Sequence, residues 1–239
     1  MKIVAIGGGE NGREGYPYEI KEIDEEIVRL ADKSHPNYLF IGFASGQWAD
    51  SYFSVMEKNF GQLGCRCEQL KESQLNDEEL TRKKIQAADI IYVGGGNTLR
   101  LMKLFRKFGL DKLLEIAGQR GAILCGVSAG AICWCKYGNS DSRRLLIRVA
   151  GLGFINALFC PHFDKESARQ ADLVRMMKTT AGVALAFEEC TALKIIGDNY
   201  EIIKSRPTAK AYKCFYYIGE YKKVEISASG SLTKLLQKV

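Results

Sequence analysis

The stretch Ala122-Ile-Leu-Cys-Gly-Val-Ser-Ala-Gly-Ala-Ile-Cys-Trp134 combines the pattern of a buried strand, a serine bounded by glycines and the start of a helix. Its centre, Gly126-Val-Ser-Ala-Gly130, matches the G-x-S-x-G pattern of a nucleophile elbow, in which a serine sits on a sharp turn between a strand and a helix. Glycines flank the serine because a Cβ at either position would collide in so tight a turn. The alternative is an ordinary tight turn in which Ser128 only caps the following helix.

Strands and helices alternate through the first half of the chain. Short apolar runs are separated by segments with apolar residues at helical spacing, which is typical of βαβ units and a mostly parallel sheet covered by helices on both faces. Glycine-rich turns follow the first, fourth and fifth strands. Ligands bind at the carboxyl ends of such strands, so we expect these turns to share one crevice. The predicted strands are Lys2–Ile6, Asn37–Phe43, Cys65–Leu70, Asp89–Val93 and Ala122–Cys125.

The second half of the chain has a different pattern. Tyr137–Arg148 is polar and rich in turn-forming residues, which favours a loop over the crevice, and an apolar segment follows at Phe154–Cys160. A helix is expected near Lys165–Lys178 and a strand at Gly182–Phe187. Within Thr191–Ile226, short runs of β-branched and aromatic residues alternate with turns, which predicts β-hairpins at one edge of the sheet.

Composition restricts the class of protein. The chain is 46% hydrophobic and 26% charged, which is typical of a globular protein with a substantial core. No linker or internal repeat divides it, so we expect a single domain over residues 1–239. No apolar run is long enough to span a bilayer and no signal peptide is evident, which predicts a cytoplasmic protein with reduced cysteines. The net charge of +6 is spread among acidic residues, which predicts a solvated surface and no nucleic-acid partner. A monomer or homodimer without membrane partners is also expected.

Two patterns that would bind a metal or a cofactor are incomplete. Cys65-x-Cys67 and Cys133-x-Cys135 are spaced too closely for a zinc knuckle, so no metal is expected. The segment Gly7–Gly12 contains G-x-G-x-x-G after the first strand, as in dinucleotide-binding folds. However, Tyr16-Pro17 interrupts the helix that should begin there, and the second strand offers no acidic residue for a ribose hydroxyl. We therefore predict no cofactor, and keep a nucleotide-binding protein as an alternative.

The turn Gly94-Gly-Gly-Asn-Thr98 lies between the fourth predicted strand and a helix. Three glycines let the backbone approach a ligand closely, with N–H groups free to donate hydrogen bonds. Asn97 and Thr98 are also ordinary helix-capping residues. Both roles are compatible, because capping uses the side chains and oxyanion binding uses the glycine amides.

A serine nucleophile needs a base whose pKa is near neutrality, and histidine is the usual one. The chain has two histidines, His35 and His162. His35 lies between a helix and the start of a strand, near the amino edge of the sheet. His162 follows a predicted strand, at the edge where Ser128 lies. His162 is therefore the candidate base, and the alternative is an ordinary loop histidine.

The base in turn needs a carboxylate that holds its tautomer. Asp141 lies between the serine and the histidine, which is the order found in α/β-hydrolases. Asp164, Glu188 and Glu189 follow the histidine. Spacing alone does not choose among these four acids.

Four motifs together resemble a known family: Gly94-Gly-Gly-Asn-Thr98, Gly126-Val-Ser-Ala-Gly-Ala131, Asn139-Ser-Asp141 and Pro161-His-Phe-Asp164. They occur in the order expected of the peptidase E (alpha-aspartyl dipeptidase) and cyanophycinase-like family of serine peptidases, and the resemblance covers nearly the whole chain. It implies a three-layer α/β/α sandwich similar to class I glutamine amidotransferases, with serine replacing their cysteine at the elbow and with β-hairpins in the C-terminal part.

The resemblance also implies a Ser–His–Glu triad made of Ser128, His162 and Glu189. Glu189 is chosen because it precedes a family-like segment, Cys190-Thr-Ala-Leu193, although the neighbouring Glu188 stays open as the acid. The implied activity is hydrolysis of short peptides, in particular dipeptides with an N-terminal Asp, through an acyl-enzyme.

Further roles follow from the same resemblance. The amides of Gly95 and Ala129 would form the oxyanion hole, and Asp141 would be an accessory residue near the site. Two other functions remain as alternatives, an esterase or amidase with the same elbow and a non-catalytic small-molecule sensor with the same fold. The basic residues considered as partners of a substrate Asp are Arg143, Arg144 and Arg169.

Overall fold

The computed structural model describes residues 1–238, which form two β-sheets with helices packed against them. Short 3₁₀ helices lie at Phe43–Trp48 and Glu72–Gln74. In chain order the strands and α-helices are β1 (Lys2–Ile6), α1 (Lys21–Leu30), β2 (Asn37–Ile41), α2 (Ala49–Gln62), β3 (Arg66–Leu70), α3 (Glu78–Ala87), β4 (Ile90–Val93), α4 (Thr98–Lys107), α5 (Leu110–Gln119), β5 (Ile123–Val127), α6 (Ala129–Ile132), β6 (Cys135–Ser140), β7 (Ile147–Ala150), β8 (Ile155–Cys160), α7 (Ser167–Met177), β9 (Ala184–Phe187), β10 (Thr191–Ile196), β11 (Asn199–Lys204), β12 (Ala211–Tyr217), β13 (Glu220–Glu225), β14 (Ser229–Ser231) and α8 (Leu232–Leu235).

The larger sheet has eight strands in the order β14-β11-β10-β1-β5-β4-β2-β3. Strands β1 to β5 are parallel to one another, whereas β10, β11 and β14 continue the sheet antiparallel beside β1. Ile6 pairs with Val127, and Val93 pairs with Gly126, so β1, β5 and β4 end side by side. The three glycine-rich turns therefore lie at one edge of the sheet, as the alternation of strands and helices predicts.

Helices cover both faces of this sheet. Val4 and Ile6 of β1 pack on one side with buried residues of α1 and α2, whereas Ile3 and Ala5 pack on the other side with α4 and α5. Strands buried on both faces are apolar throughout, which is why their sequences show short continuous apolar runs. The predicted α/β/α arrangement around a mostly parallel sheet is confirmed. No helix within residues 1–238 combines the length and apolarity needed to cross a bilayer.

A second sheet of six strands, in the order β13-β12-β9-β8-β6-β7, is a feature that the sequence patterns do not predict. On one face, Phe159 of β8 and Phe187 of β9 stack with their ring centroids 5.2 Å apart and join the large core. The other face packs against α7. His162 and Glu189 lie directly beyond β8 and β9, so this sheet supplies both residues to the site.

The prediction of a loop over the crevice at Tyr137–Arg148 is wrong for half of that segment. Strands β6 and β7 occupy its two ends and pair antiparallel, and residues 141–146 connect them. Polar residues lie inside the protein here because their side chains are hydrogen-bonded: Asn139 donates to Asp172, and Ser140 donates to Thr98. Satisfied buried polar groups are common, but sequence composition alone cannot distinguish them from exposed ones.

The hairpins predicted within Thr191–Ile226 exist, but they do not lie at one edge of one sheet. Strands β10 and β11 pair in the larger sheet, whereas β12 and β13 pair in the smaller one. The β-branched and aromatic runs that predict a hairpin do not specify which sheet the hairpin joins.

Candidate active site

Ser128 lies on the sharp turn between β5 and α6, with φ 55° and ψ −111°. This backbone conformation is uncommon for a residue with a side chain, so surrounding contacts must hold it. A Cβ at Gly126 or Gly130 would lie 2.6 or 1.9 Å from the carbonyl oxygen of Val93, which explains both glycines of the elbow. The Ser128 amide donates to the carbonyl of Ile6 at 3.1 Å. The turn is thus held between β1 and β4.

The side chain of Ser128 does not cap the helix that follows it. Its Oγ lies 2.9 Å from Nε2 of His162, and Nδ1 of His162 lies 3.1 Å from Oε1 of Glu189. The side chains of His162 and Glu189 are 21% and 11% exposed, so the pair is shielded from bulk water while remaining accessible. The structure therefore brings these three sequence-predicted residues into one hydrogen-bonded series, called here the Ser–His–Glu constellation.

The turn after β1 positions the histidine. His162 has a left-handed φ of 52°, and its amide donates to the carbonyl of Gly7 at 2.9 Å. A Cβ at Gly8 would lie 2.4 Å from Nδ1 of His162, so only glycine allows this close approach. The other histidine, His35, contacts the carbonyl of Gly64 at 3.1 Å and is not part of the constellation.

The same glycines do not have the surroundings of a dinucleotide-binding turn. In that motif a helix begins directly after the glycines and its N-terminus binds the pyrophosphate. Here α1 begins only at Lys21, and the intervening chain turns back on itself through a bridge between Asn11 and Tyr18. The glycines serve the close packing against His162 instead.

Glu189, and not Glu188, contacts the histidine. Oε2 of Glu188 accepts a hydrogen bond from the Lys210 amide at 2.8 Å. The hydrogen bond with His162 lowers the pKa of Glu189; burial raises it, and the charges of His162 and Lys165 lower it further. Nζ of Lys165 lies 3.3 Å from Oε1 of Glu189. With its pKa held below the usual value, Glu189 is a carboxylate at neutral pH and accepts a hydrogen bond from Nδ1–H.

Asp164, another of the candidate acids, contacts the backbone of Glu189. Its Oδ1 accepts a hydrogen bond from the Glu189 amide at 2.8 Å, and its Oδ2 lies 2.7 Å from Nη2 of Arg206. Arg206 also donates to the Glu189 carbonyl at 3.3 Å. Asp164 and Arg206 thus hold the peptide unit that carries the carboxylate. No sequence motif indicates Arg206, because it joins the site only through the fold.

The turn after β4 lies on the other side of the serine. A Cβ at Gly95 would lie 3.5 Å from Cβ of Ser128. Ser45 donates to the Gly95 carbonyl at 2.8 Å, and a Cβ at Gly94 would lie 3.0 Å from a ring carbon of Tyr52. Ala129 is the first residue of α6, so its N–H has no acceptor within the helix. Neither Ser45 nor Tyr52 belongs to a recognisable sequence motif, so only the fold brings them to the site.

Asp141 lies at the margin of the site. Its side chain is 62% exposed and 3.5 Å from Nη2 of Arg169, and no hydrogen bond or ion pair within residues 1–238 joins it to the Ser–His–Glu constellation. Arg169 is 1% exposed and donates to Glu166 and to the Asn139 carbonyl. It is therefore not available to a substrate. The exposed residues Arg143 and Arg144 lie in the connection between β6 and β7.

Comparison with known sequences identifies relatives among peptidases. The family model for Peptidase family S51 matches residues 3–203. The "uncharacterized peptidase YgaJ" of Bacillus subtilis is 33% identical over 218 residues, which cover 89% of this chain and 91% of that protein. Peptidase E of Shewanella denitrificans is 22% identical over 223 residues, covering 88% of this chain and 90% of that protein.

A solved structure has the same fold. The crystal structure of a peptidase from an acI-B1 Actinobacterium superposes with a TM-score of 0.72 at 21% sequence identity, covering 96% of each chain. The family match spans all three members of the Ser–His–Glu constellation, and the relative from Bacillus subtilis aligns over most of both chains. Fold, family match and relatives agree, so the chain belongs to peptidase family S51 and is a serine peptidase.

Proposed function

We propose that Ser128 is the nucleophile, His162 the general base and Glu189 the acid that orients the base, in the hydrolysis of short peptides. The observation that supports this most is the pair of contacts, 2.9 Å from Oγ to Nε2 and 3.1 Å from Nδ1 to Oε1. A general base must lie within hydrogen-bonding reach of the proton that it removes, and a third group must hold its tautomer. Both conditions are met before substrate binds.

The reaction then proceeds through an acyl-enzyme. His162 Nε2 takes the hydroxyl proton as Oγ of Ser128 attacks the peptide carbonyl. The tetrahedral intermediate collapses when the imidazolium gives this proton to the leaving amine, which breaks the C–N bond and leaves an ester on Oγ. A water molecule gives a proton to His162 and attacks the ester, and the proton returns to Oγ as the acid product leaves. Glu189 stays ionised and stabilises the imidazolium.

The amides of Gly95 and Ala129 are the proposed oxyanion donors. Preorganised N–H groups beside the nucleophile stabilise the negative charge that develops on the carbonyl oxygen. Ala129 supports this assignment because its N–H lies at the start of α6 without an acceptor in the helix. Gly95 supports it because its backbone lies against Ser128 and its carbonyl is held by Ser45.

Dipeptides that begin with Asp are a specific candidate within this substrate class, because the sequence motifs resemble peptidase E. An Asp side chain needs a cation that is free to pair with it. Arg169 is already engaged, which leaves Arg143 and Arg144 among the arginines considered, with Asp141 as an accessory residue in the same connection. If Arg143 and Arg144 pair with the substrate Asp, replacing both by Gln raises KM for Asp-Ala and leaves KM for Leu-Ala unchanged.

We also propose a cytoplasmic location. All eight cysteines are free thiols, and seven of them are buried. Thiols persist in reducing compartments.

Light scattering of the purified protein decides between the monomer and the homodimer expected from the sequence.

Substitution of the nucleophile tests the proposal. Ser128→Ala should lower kcat/KM for dipeptides by about 10⁴-fold or more, with an unchanged thermal unfolding curve. A fluorophosphonate probe should label the native protein and not the variant. Undiminished hydrolysis by the variant would refute the mechanism. A kcat/KM for simple esters far above that for peptides would favour the esterase alternative, and absence of both labelling and turnover would favour the sensor.

A further inference from the structure

A cleft of about 580 Å³ opens between the turn that follows β1 and the first turns of α2. One wall consists of residues from Gly9 to Glu14. The other wall includes Ser45, Trp48 and Tyr52. The cleft is large enough for one amino-acid residue of a peptide.

Each wall of the cleft is connected to a turn that lies against the Ser–His–Glu constellation. Its first wall continues directly from Gly8, whose Cα faces the imidazole of His162. Its second wall is tied to the turn after β4, because Ser45 donates to the Gly95 carbonyl and the ring of Tyr52 packs against Gly94. A substrate whose carbonyl lies between Ser128 and Gly95 therefore has the cleft next to it.

Carboxylates outnumber cations in the lining of the cleft. Arg13 is paired with Glu10, Nε to Oε2 at 3.1 Å, and its guanidinium stacks 4.0 Å above the ring of Tyr16. Glu14 is exposed and has no hydrogen bond or ion pair within residues 1–238. The lining therefore has one uncompensated negative charge, although the whole chain has a net charge of +6.

An aromatic surface lies opposite this charge. Trp48 is 66% exposed, whereas tryptophan is highly buried on average, and it lines the cleft together with Tyr52 and Val55. Burial raises the pKa of Tyr52, so its hydroxyl stays neutral. Such a surface attracts apolar side chains, and aromatic rings also attract cations.

The cation within the cleft and the two beside Glu189 are already paired, so none of these three is free for an acidic side chain. Lys165 pairs with Glu189, and Arg206 pairs with Asp164. Arg13, within the cleft, pairs with Glu10. A carboxylate placed in the cleft would meet the charge of Glu14 without a compensating partner, and this costs free energy.

We infer that the cleft binds the N-terminal residue of the peptide substrate, with Glu14 facing its ammonium group and with Trp48 and Tyr52 packing against an apolar or basic side chain. This inference rests on the proposed function, because it assigns the substrate of the same nucleophile. It predicts selection for non-acidic N-terminal residues, and it is the alternative to the N-terminal Asp that was considered above with Arg143 and Arg144 as partners.

Binding to the Ser128→Ala variant tests the inference without turnover. Isothermal titration with Leu-Ala, Lys-Ala and Asp-Ala should give a Kd for Asp-Ala at least about tenfold higher than the other two. N-acetylation of Leu-Ala should weaken binding about fivefold, and Glu14→Gln should weaken binding of the free peptide by a similar factor. Trp48→Ala should weaken Leu-Ala binding about tenfold.

Matched controls come from α5, on the opposite face of the larger sheet. Glu115→Gln removes an exposed carboxylate, and Ile116→Ala truncates an exposed apolar residue that is 55% accessible. Neither should change Kd for any of the peptides. Each variant is first checked by thermal unfolding, and because Trp48 and Glu14 are exposed, their substitution should not unfold the protein.

The outcomes separate this inference from the proposed function. Equal or tighter binding of Asp-Ala, or unchanged binding in both Glu14→Gln and Trp48→Ala, would overturn the inference even if the native protein cleaves peptides through Ser128. Failure of the native protein to hydrolyse any of the peptides would overturn the proposed function, whatever the titrations show. The expected order of Kd values, lost in the cleft variants and kept in the controls, would support the inference.

Discussion

Replacing Asp24 tests how a buried carboxyl group in α1 affects stability. Asp24 has no solvent exposure; Tyr18 donates to its Oδ2 at 2.7 Å, and its Oδ1 has no partner among residues 1–238. Burial raises the pKa of Asp24 from 3.8 to about 8, against a smaller opposite effect of the hydrogen bond from Tyr18. At neutral pH the folded protein therefore contains the neutral acid, whereas the unfolded chain contains the carboxylate.

The pKa difference gives the magnitude. Between about pH 4 and pH 8 the folded state binds one proton more than the unfolded state, so the free energy of unfolding falls as the pH rises. The slope for one proton is about 1.4 kcal/mol per pH unit, which amounts to a loss on the order of 4 kcal/mol at pH 7. Asp24→Asn has no proton to lose at this position, so its stability should not fall through this titration.

Urea unfolding at pH 5, 6, 7 and 8 measures the effect for the native protein, Asp24→Asn and the control Glu115→Gln. The stability of Asp24→Asn relative to the native protein should rise by about 1.4 kcal/mol with each pH unit. The control should stay parallel to the native protein, because its carboxyl group is exposed. Parallel curves for Asp24→Asn and the native protein would refute the protonation of Asp24 in the folded state.

Three further predictions concern the site. Glu189→Gln should lower kcat by about 10²-fold or more, because an amide does not balance the charge of the imidazolium. Glu188→Gln should leave kcat unchanged. Steady-state kinetics measures both variants, and equal losses of kcat would contradict the assignment of Glu189. Gly8 has φ 151°, and Gly8→Ala would place a Cβ 2.4 Å from Nδ1 of His162. The variant should still unfold cooperatively, but its kcat should be at least about tenfold lower. An unchanged kcat would disprove the close contact. Arg206→Ala removes the cation that donates to the Glu189 carbonyl. We expect kcat to fall about tenfold with KM unchanged, and to recover partly when millimolar guanidinium is added. A change in KM alone would argue against a positioning role for Arg206.

The elbow and the parallel sheet were predictable from the sequence because their causes are local. Buried strands are short apolar runs, helices repeat apolar residues at helical spacing, and tight turns require glycine. Asn97 likewise has the residue type and position of a helix cap, and its Oδ1 accepts a hydrogen bond from the Arg100 amide at 2.9 Å. The same alternation of strands and helices predicts that Ser128 and His162 lie at one edge of the sheet, which makes them the candidate nucleophile and base.

Tertiary structure alone decided the features that depend on residues far apart in the chain. Glu188 and Glu189 are adjacent and chemically alike, and only the direction of the chain after β9 brings Glu189 to His162. The second sheet, the contact of Arg206 with Glu189 and the cleft beside Tyr52 likewise depend on how elements pack. Local sequence patterns specify which helices and strands form. Which side chains meet depends on how distant elements pack, and this packing cannot be predicted from local patterns in one sequence.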